Sequence, residues 1–90
     1  MKIKDSFLLK KVAGQNVVVP VGNNVVNFNA AITLNETAAF LWELLQNDTD
    51  ANTLIEKLCE NYDVNIDNAT RDVNVFINVL KEHDILEQKQ

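Results

Sequence analysis

Residues 33–45 read TLNETAAFLWELL, and the way this stretch begins and continues determines the fold that we expect. Its polar opening is typical of a helix N-terminus, because Thr33 and Glu36 have the spacing of a capping box and Asn35 is itself a good N-cap. The apolar side chains that follow recur at the spacing of one helix face. We therefore expect a helix over about 35–46, with Thr33 or Asn35 as its N-cap. Its inner face is formed by Ala38, Leu41, Trp42 and Leu45, widened by Phe40 and Leu44.

The segment that leads into this helix, VVNFNAAITL at 25–34, repeats with a period of two. That period is the pattern of a strand with one face buried and the other in water. Burial on a single face is typical of antiparallel sheets. We expect a strand over about 25–33, with one face made by Val26, Phe28, Ala30, Ile32 and Leu34.

Two shorter strands precede it, over about 6–12 and 16–20, and the turn residues AGQN join them. The β-branched run VVVPV favours the second of these strands. Pro20 has no backbone N–H, so we expect it at the end of the second strand or facing away from a partner. GNN at 22–24 predicts a tight turn before the third strand.

Two further helices are predicted after the first, over about 51–62 and 68–83. Asp50 is the expected N-cap of the second helix, and Asp67 of the third. In both helices the apolar residues repeat at helical spacing. The inner faces comprise Leu54, Ile55, Leu58, Cys59 and Tyr62, then Val73, Phe76, Ile77 and Leu80, and we expect Val64, Ile66, Ile85 and Leu86 to complete the core.

The predicted order is β-β-β-α-α-α, an α+β, winged-helix-like fold in which a three-stranded antiparallel sheet precedes a three-helix bundle. Three strands cannot bury a face by themselves, and three amphipathic helices supply the cover. A chain of 90 residues is long enough for one compact core. We therefore expect one domain over 1–90, with Trp42 and Phe40 filling the space between sheet and helices.

Composition and charge exclude several classes of protein. The N-terminal apolar run is too short for a signal peptide or a membrane span, which predicts a cytoplasmic protein with no membrane partner. The net charge of −5 is uneven. Residues 1–34 carry four lysines and one aspartate, a balance of +3, whereas residues 35–90 carry four basic and twelve acidic residues, a balance of −8. Nucleic acid is an unfavourable partner for such an acidic surface.

The sequence offers no constellation of residues for catalysis. His83, the single histidine, lies at the polar end of the third helix, where a solvated side chain is favourable. Cys59 lies on the inner face of the second helix, which is typical of a buried structural thiol. The carboxylates do not recur at metal-ligand spacing, and there is no Gly-rich phosphate loop. We therefore predict a protein that is not an enzyme and has no metal or cofactor.

Recognition of another molecule is the function that remains. If 25–32 forms an edge strand, its unpaired backbone groups can accept an extended peptide as a fourth strand. The third helix would then form the other wall of a groove, because Asp72, Val75 and Val79 lie on its outward face beside Phe76. Val75 and Val79 have two interpretations: they contact a partner, or they pack against the first helix.

Two other functions are compatible with this order of elements. A winged-helix DNA-binding domain needs basic residues on its recognition helix, and the N-terminal half of the third helix offers Arg71 between Asp67 and Asp72. A structural subunit of a larger enzyme would use the valine face for docking. Salt-sensitive binding to duplex DNA would favour the first, and stable co-purification with an enzyme in the absence of any precursor would favour the second.

Four stretches together are similar to the PqqD family: VAGQNVVVP, LNETAAFLWELL, TLIEKLCENYDV and ATRDVNVFINVLKEHDIL. The resemblance covers about residues 6–87. It is carried by the entry Leu34, Asn35, Thr37 and Ala38 before Trp42, by Tyr62 and Val64, and by Asp72 and Val73 before Phe76 and Leu80.

The resemblance implies a peptide chaperone. Members of this family bind the leader of a ribosomally synthesised precursor peptide by strand addition and present it to a modifying enzyme, typically a radical S-adenosylmethionine (radical SAM) maturase. It implies partners of those two kinds, and exposed strand edges also make a homodimer conceivable. The implied peptide-binding residues are Asn27, Phe28, Asn29, Ala30, Ala31 and Ile32 on the third strand, and Asp72, Val75, Phe76 and Val79 on the third helix.

Overall fold

The computed structural model describes residues 1–22 and 32–87. Three antiparallel strands, β1 (Phe7–Val12), β2 (Gln15–Pro20) and β3 (Ile32–Leu34), form a sheet in the order β1-β2-β3. Three helices follow: α1 (Glu36–Leu44), α2 (Ala51–Asn61) and α3 (Ile66–Glu82). The predicted α+β fold with three strands before three helices is confirmed. The predicted part of the third strand at 25–31 and the end of the GNN turn lie outside the described residues.

The β1–β2 hairpin turns at two residues, so the predicted AGQN turn is shorter than expected. Ala13 and Gly14 have φ angles of 51° and 79°, the left-handed pair that a two-residue hairpin turn of the right twist requires. Gln15 and Asn16 belong to β2. Pro20 ends β2, as its missing N–H predicts.

β3 runs directly into α1, and one asparagine makes this sharp change possible. Thr33 is part of β3, so it is Asn35 that caps the helix. The Asn35 side-chain oxygen accepts hydrogen bonds from the Ala38 backbone N–H at 2.9 Å and from the Thr37 hydroxyl at 3.1 Å. The α-helix ends at Leu44, slightly before the predicted end.

The other two helices begin at similar caps. Asp50 caps α2, and its side chain accepts from the Thr53 N–H at 2.8 Å. This hydrogen bond to the carboxylate lowers the pKa of Asp50 from its ordinary value. The prediction that Asp67 caps the third helix is wrong, because Asn65 accepts from the Asn68 N–H at 2.8 Å and the helix begins at Ile66.

Because α3 starts earlier than predicted, Ile66 and Val64 differ in their exposure. Ile66 occupies the first helical position and is 66% exposed, so the prediction that it points inward is wrong. Val64 does pack against the core. At its other end α3 is followed by Asp84, whose φ of 56° lets the chain reverse so that Ile85 and Leu86 return to the core.

The core lies between the inner face of the sheet and the three helices. Trp42 is buried at its centre, as predicted. Phe40 is only partly buried, because it lies at the edge of the core with its ring 5.3 Å from that of Tyr62 in an edge-to-face arrangement. Buried residues from all the elements form one cluster: Ile3, Phe7, Val18, Ile32, Leu34, Leu41, Trp42, Leu45, Leu54, Leu58, Ala69, Val73, Phe76, Ile77, Leu80, Ile85 and Leu86.

Residues 1–5 form an N-terminal segment that lies between α1 and the chain after α3. The Ile3 N–H donates to the Leu45 carbonyl at 3.0 Å, and the Lys4 N–H donates to the Ile85 carbonyl at 2.9 Å. Ile3 also forms an isolated antiparallel bridge with Leu86. Within the described residues no helix is both long enough and apolar enough to cross a membrane.

Candidate functional site

A groove of about 320 Å³ lies between β3 and α3. The first residues of α1 also line it. Two of its walls meet where β3 is followed by α1 at Asn35. Its lining comes from these three elements: Ile32, Thr33 and Leu34 of β3, Asn35, Thr37, Ala38 and Leu41 at α1, and Arg71, Asp72, Val75, Phe76 and Val79 of α3.

The α3 wall is mostly apolar and its side chains differ in exposure. Phe76 is buried and contributes to the core as well as to the groove. Val79 is half-buried and packed against the core. Val75 is 57% exposed, which is unusual for a valine on a helix whose other exposed positions are mostly polar. The two valines therefore differ: Val79 packs on the protein itself, whereas Val75 is available to a partner.

The β3 wall supplies both side chains and backbone. Ile32 and Leu34 are buried and line the groove, while Thr33 between them is exposed. β2 pairs with β3 along one side. Across residues 1–22 and 32–87, no strand pairs with the other side of β3. This open side of β3 has backbone groups that can pair with an added strand.

Charge is present at one end of the groove. Arg71 and Asp72 lie on the N-terminal half of α3 and both are exposed. The Arg71 guanidinium donates to the Asn68 side-chain oxygen at 2.9 Å, so it is held along its own helix. The opposite end of the wall, at Val79, is apolar. The groove thus has a polar end and an apolar end, which can orient an extended ligand.

The structure brings together every described residue that the sequence predicted for the site. Ile32, Asp72, Val75, Phe76 and Val79 all line the same groove. The other five predicted residues, Asn27, Phe28, Asn29, Ala30 and Ala31, lie outside the described residues.

Sequence reasoning missed the remaining lining residues. Arg71 lies four positions before Val75, so helical spacing alone would have placed it on the same face. The α1 residues Thr37 and Ala38 also line the groove and carry no such signal, because the pattern places Ala38 on the inner face of its own helix and assigns Thr37 to no face.

The described part of the chain has a second depression, and its histidine and cysteine lie outside the groove. A second, open depression of about 570 Å³ near the hairpin turn is lined mostly by polar residues, including Lys11, Asn16 and Glu36. The described residues contain no group of three or more His, Cys, Asp and Glu side chains that could hold a metal ion. The His83 Nδ1 donates to the Val79 carbonyl at 3.0 Å, and Cys59 is half-buried on α2. Neither side chain lines the groove.

Comparisons with known proteins agree with this architecture. The profile of the family described as Coenzyme PQQ synthesis protein D (PqqD) matches residues 15–86. The comparison with curated protein sequences gave no match.

Two solved structures share the fold. One is TbiB1 in complex with the TbiA(beta) leader peptide, at a TM-score of 0.74 and 20% identity, covering 100% of this chain and 99% of that one. The other is a lasso peptide synthetase B1 complexed with the leader peptide, at a TM-score of 0.72 and 20% identity, covering 97% of this chain and 96% of that one.

Proposed function

This chain belongs to the PqqD family, and from that membership we propose that it is a peptide chaperone that binds the leader segment of a ribosomally synthesised precursor peptide. The observation that carries the proposal is the groove between the open side of β3 and the exposed Val75 of α3. Two proteins of the same fold, TbiB1 and the lasso peptide synthetase B1, are in complex with leader peptides.

The proposed mode of binding is strand addition. The leader lies antiparallel or parallel to β3 and pairs with its open backbone groups, while side chains on one face of the leader enter the groove. Within the described residues β3 contributes Ile32, Thr33 and Leu34 to this pairing. Asn27, Phe28, Asn29, Ala30 and Ala31 extend the proposed binding strand in the N-terminal direction.

Approximate free energies show which contacts would contribute most to the affinity for the leader. About three backbone hydrogen bonds at about 1 kcal/mol each give about 3 kcal/mol, whereas micromolar affinity requires about 8 kcal/mol. Burial of an apolar side chain contributes about 1.5–3 kcal/mol, so two anchors supply about 3–6 kcal/mol. Apolar anchors beside Val75 and Phe76 therefore provide at least as much affinity as the backbone, and they also provide the sequence preference.

The chain binds rather than catalyses in this proposal, and it delivers the leader to a modifying enzyme of the radical SAM class. That partner comes from the resemblance to the PqqD family. The homodimer and the cytoplasmic location stay predictions from the sequence.

A charge placed in the groove tests the proposal. We expect Val75→Glu to reduce binding of the leader at least tenfold. An apolar side chain of the leader that packs on position 75 would remove the new carboxylate from water, which is costly. The fold should be retained, since Val75 is largely exposed. Fluorescence anisotropy with a labelled synthetic leader of a precursor peptide from the same organism measures the affinity.

The matched control is Asn78→Glu, which adds the same charge to an exposed position of α3 that does not line the groove. It should bind as the wild type does. Equal affinity of Val75→Glu and wild type would place the leader elsewhere on the protein, and no binding by the wild type would refute the proposed function.

A further inference from the structure

The outer face of the β1–β2 hairpin is a second apolar surface, away from the core. Phe7 and Val18 face the helices and are buried, so the residues that alternate with them face the opposite way. The strand pairing sets Leu8 opposite Val19 and Lys10 opposite Val17 on this outer side. We call these residues, together with the pair Val12 and Gln15, the outer hairpin face: Leu8, Lys10, Val12, Gln15, Val17 and Val19.

Two of the apolar side chains on this face, Leu8 and Val12, are strongly exposed to solvent. Leu8 is 45% exposed and Val12 is 52% exposed, and they are two of the four large hydrophobic side chains that the described residues leave exposed. Val17 and Val19 are half-buried beside them. Single exposed apolar residues are normal, but a contiguous set on one side of a sheet is typical of an interaction site.

The charge of the hairpin limits what can cover it. Lys10 lies on the outer hairpin face between Leu8 and Val12, and Lys11 is exposed next to it. β1 and β2 contain no acidic residue. The hairpin is therefore a basic, apolar surface in a chain whose net charge is −5. A surface with carboxylates around an apolar centre is its electrostatic complement.

We propose that the outer hairpin face docks the modifying enzyme, through an enzyme surface whose apolar centre is bordered by Asp and Glu side chains. The identity of the partner as the modifying enzyme rests on the proposed function. The chemistry of the partner's surface is inferred from the residues of the hairpin. The outer hairpin face lies on the side of the sheet away from the helices, and the groove lies between β3 and α3. Peptide and enzyme can therefore occupy the protein together.

Two other occupants fit the face less well. A second copy joined face to face would place Lys10 of each protomer near Lys10 of the other, and like charges across a contact are unfavourable. Nucleic acid would match the lysines but not the exposed leucine and valine, and it would be repelled by the acidic helices.

The test compares variants for binding to a purified radical SAM maturase from the same organism. Leu8→Thr/Val12→Thr removes apolar area and keeps residues that favour strands. We expect it to weaken enzyme binding at least tenfold, measured by isothermal titration calorimetry. Lys10→Glu should weaken binding more than Lys11→Glu, because Lys11 lies off the face.

The controls separate this inference from the proposed function. Val75→Glu should keep its affinity for the enzyme while losing the leader, and Leu8→Thr/Val12→Thr should do the reverse. The inference is overturned if the wild type does not bind the enzyme or if all hairpin variants bind equally. It is also overturned if the variants alter only self-association in sedimentation, or only binding to a duplex DNA probe.

Discussion

Asn35 connects the fold of this protein to its groove at the scale of a single residue. Its side chain satisfies the Ala38 N–H at the start of α1, which lets β3 end and the helix begin within one residue. The same residue lines the groove. Asp50 and Asn65 cap α2 and α3 in the same way, but they do not line the groove.

Removal of this cap should destabilise the protein measurably. We expect Asn35→Ala to lower the free energy of unfolding by about 1 kcal/mol, because alanine leaves the Ala38 N–H without its acceptor. Urea denaturation followed by tryptophan fluorescence measures the change. Asn47→Ala is the control, since Asn47 is exposed and outside the helices, and it should change the stability by less than about 0.5 kcal/mol. Equal effects of the two variants would contradict the role of Asn35.

The sequence could identify such residues only as candidates. Thr33 and Asn35 both suited the start of α1, and the strand pairing of Thr33 with Val17 selects Asn35. Asp67 suited the start of α3 as well as Asn65 does. The sequence does not distinguish the two, and in the structure the cap is Asn65, so the helix starts two residues earlier than predicted.

At the scale of elements, α3 has two functions on adjacent faces. Its buried face, with Val73, Ile77 and Leu80, completes the core. The neighbouring face forms the groove wall, and Phe76 belongs to both. A change in the core face should therefore affect stability first, whereas a change in the wall should affect binding first.

Leu80→Ala tests the core half of this division. Leu80 is fully buried, so we expect a loss of about 2–5 kcal/mol in the free energy of unfolding from lost burial and the resulting cavity. Chemical denaturation measures it, with Lys81→Ala at the neighbouring exposed position as the control. A loss below 1 kcal/mol for Leu80→Ala would mean that α3 does not pack as described.

Periodicity predicted the core face of α3 correctly, since every residue assigned to it is buried. It could not separate Val75 from Val79, because both lie beside that face and their exposure depends on which other elements lie nearby. Nor could periodicity predict the depth of the groove. That depth depends on how β3, α1 and α3 converge in three dimensions, and no local pattern encodes this convergence.

At the scale of the whole molecule, the N-terminal segment connects parts of the chain that are distant in sequence. Ile3 is buried, and its backbone and that of Lys4 hydrogen-bond to the end of α1 and to the residue after the α3 reversal. Lys4 also forms an ion pair with Asp84 at 3.0 Å. This segment holds the end of α1 against the chain that follows α3.

We expect Ile3→Ala to cost about 2–4 kcal/mol in the free energy of unfolding, because Ile3 is buried in the core and its truncation leaves a cavity there. Thermal and urea unfolding measure the cost. Lys2→Ala is the control and should be nearly neutral, since its backbone carbonyl can still accept from Glu87. If Ile3→Ala were equally neutral, the N-terminal segment would not be part of the cooperative fold.

If a leader binds by the proposed strand addition, the open side of β3 has a consequence for the evolution of that peptide. A peptide that continues the sheet turns alternate residues toward the groove and toward water. Selection then acts on every second position, while the positions between are free to diverge. Insertion of one residue between two anchors would send the second anchor into solvent, whereas insertion of two would restore its direction. Homologous leaders should therefore differ in length between their anchors by even numbers.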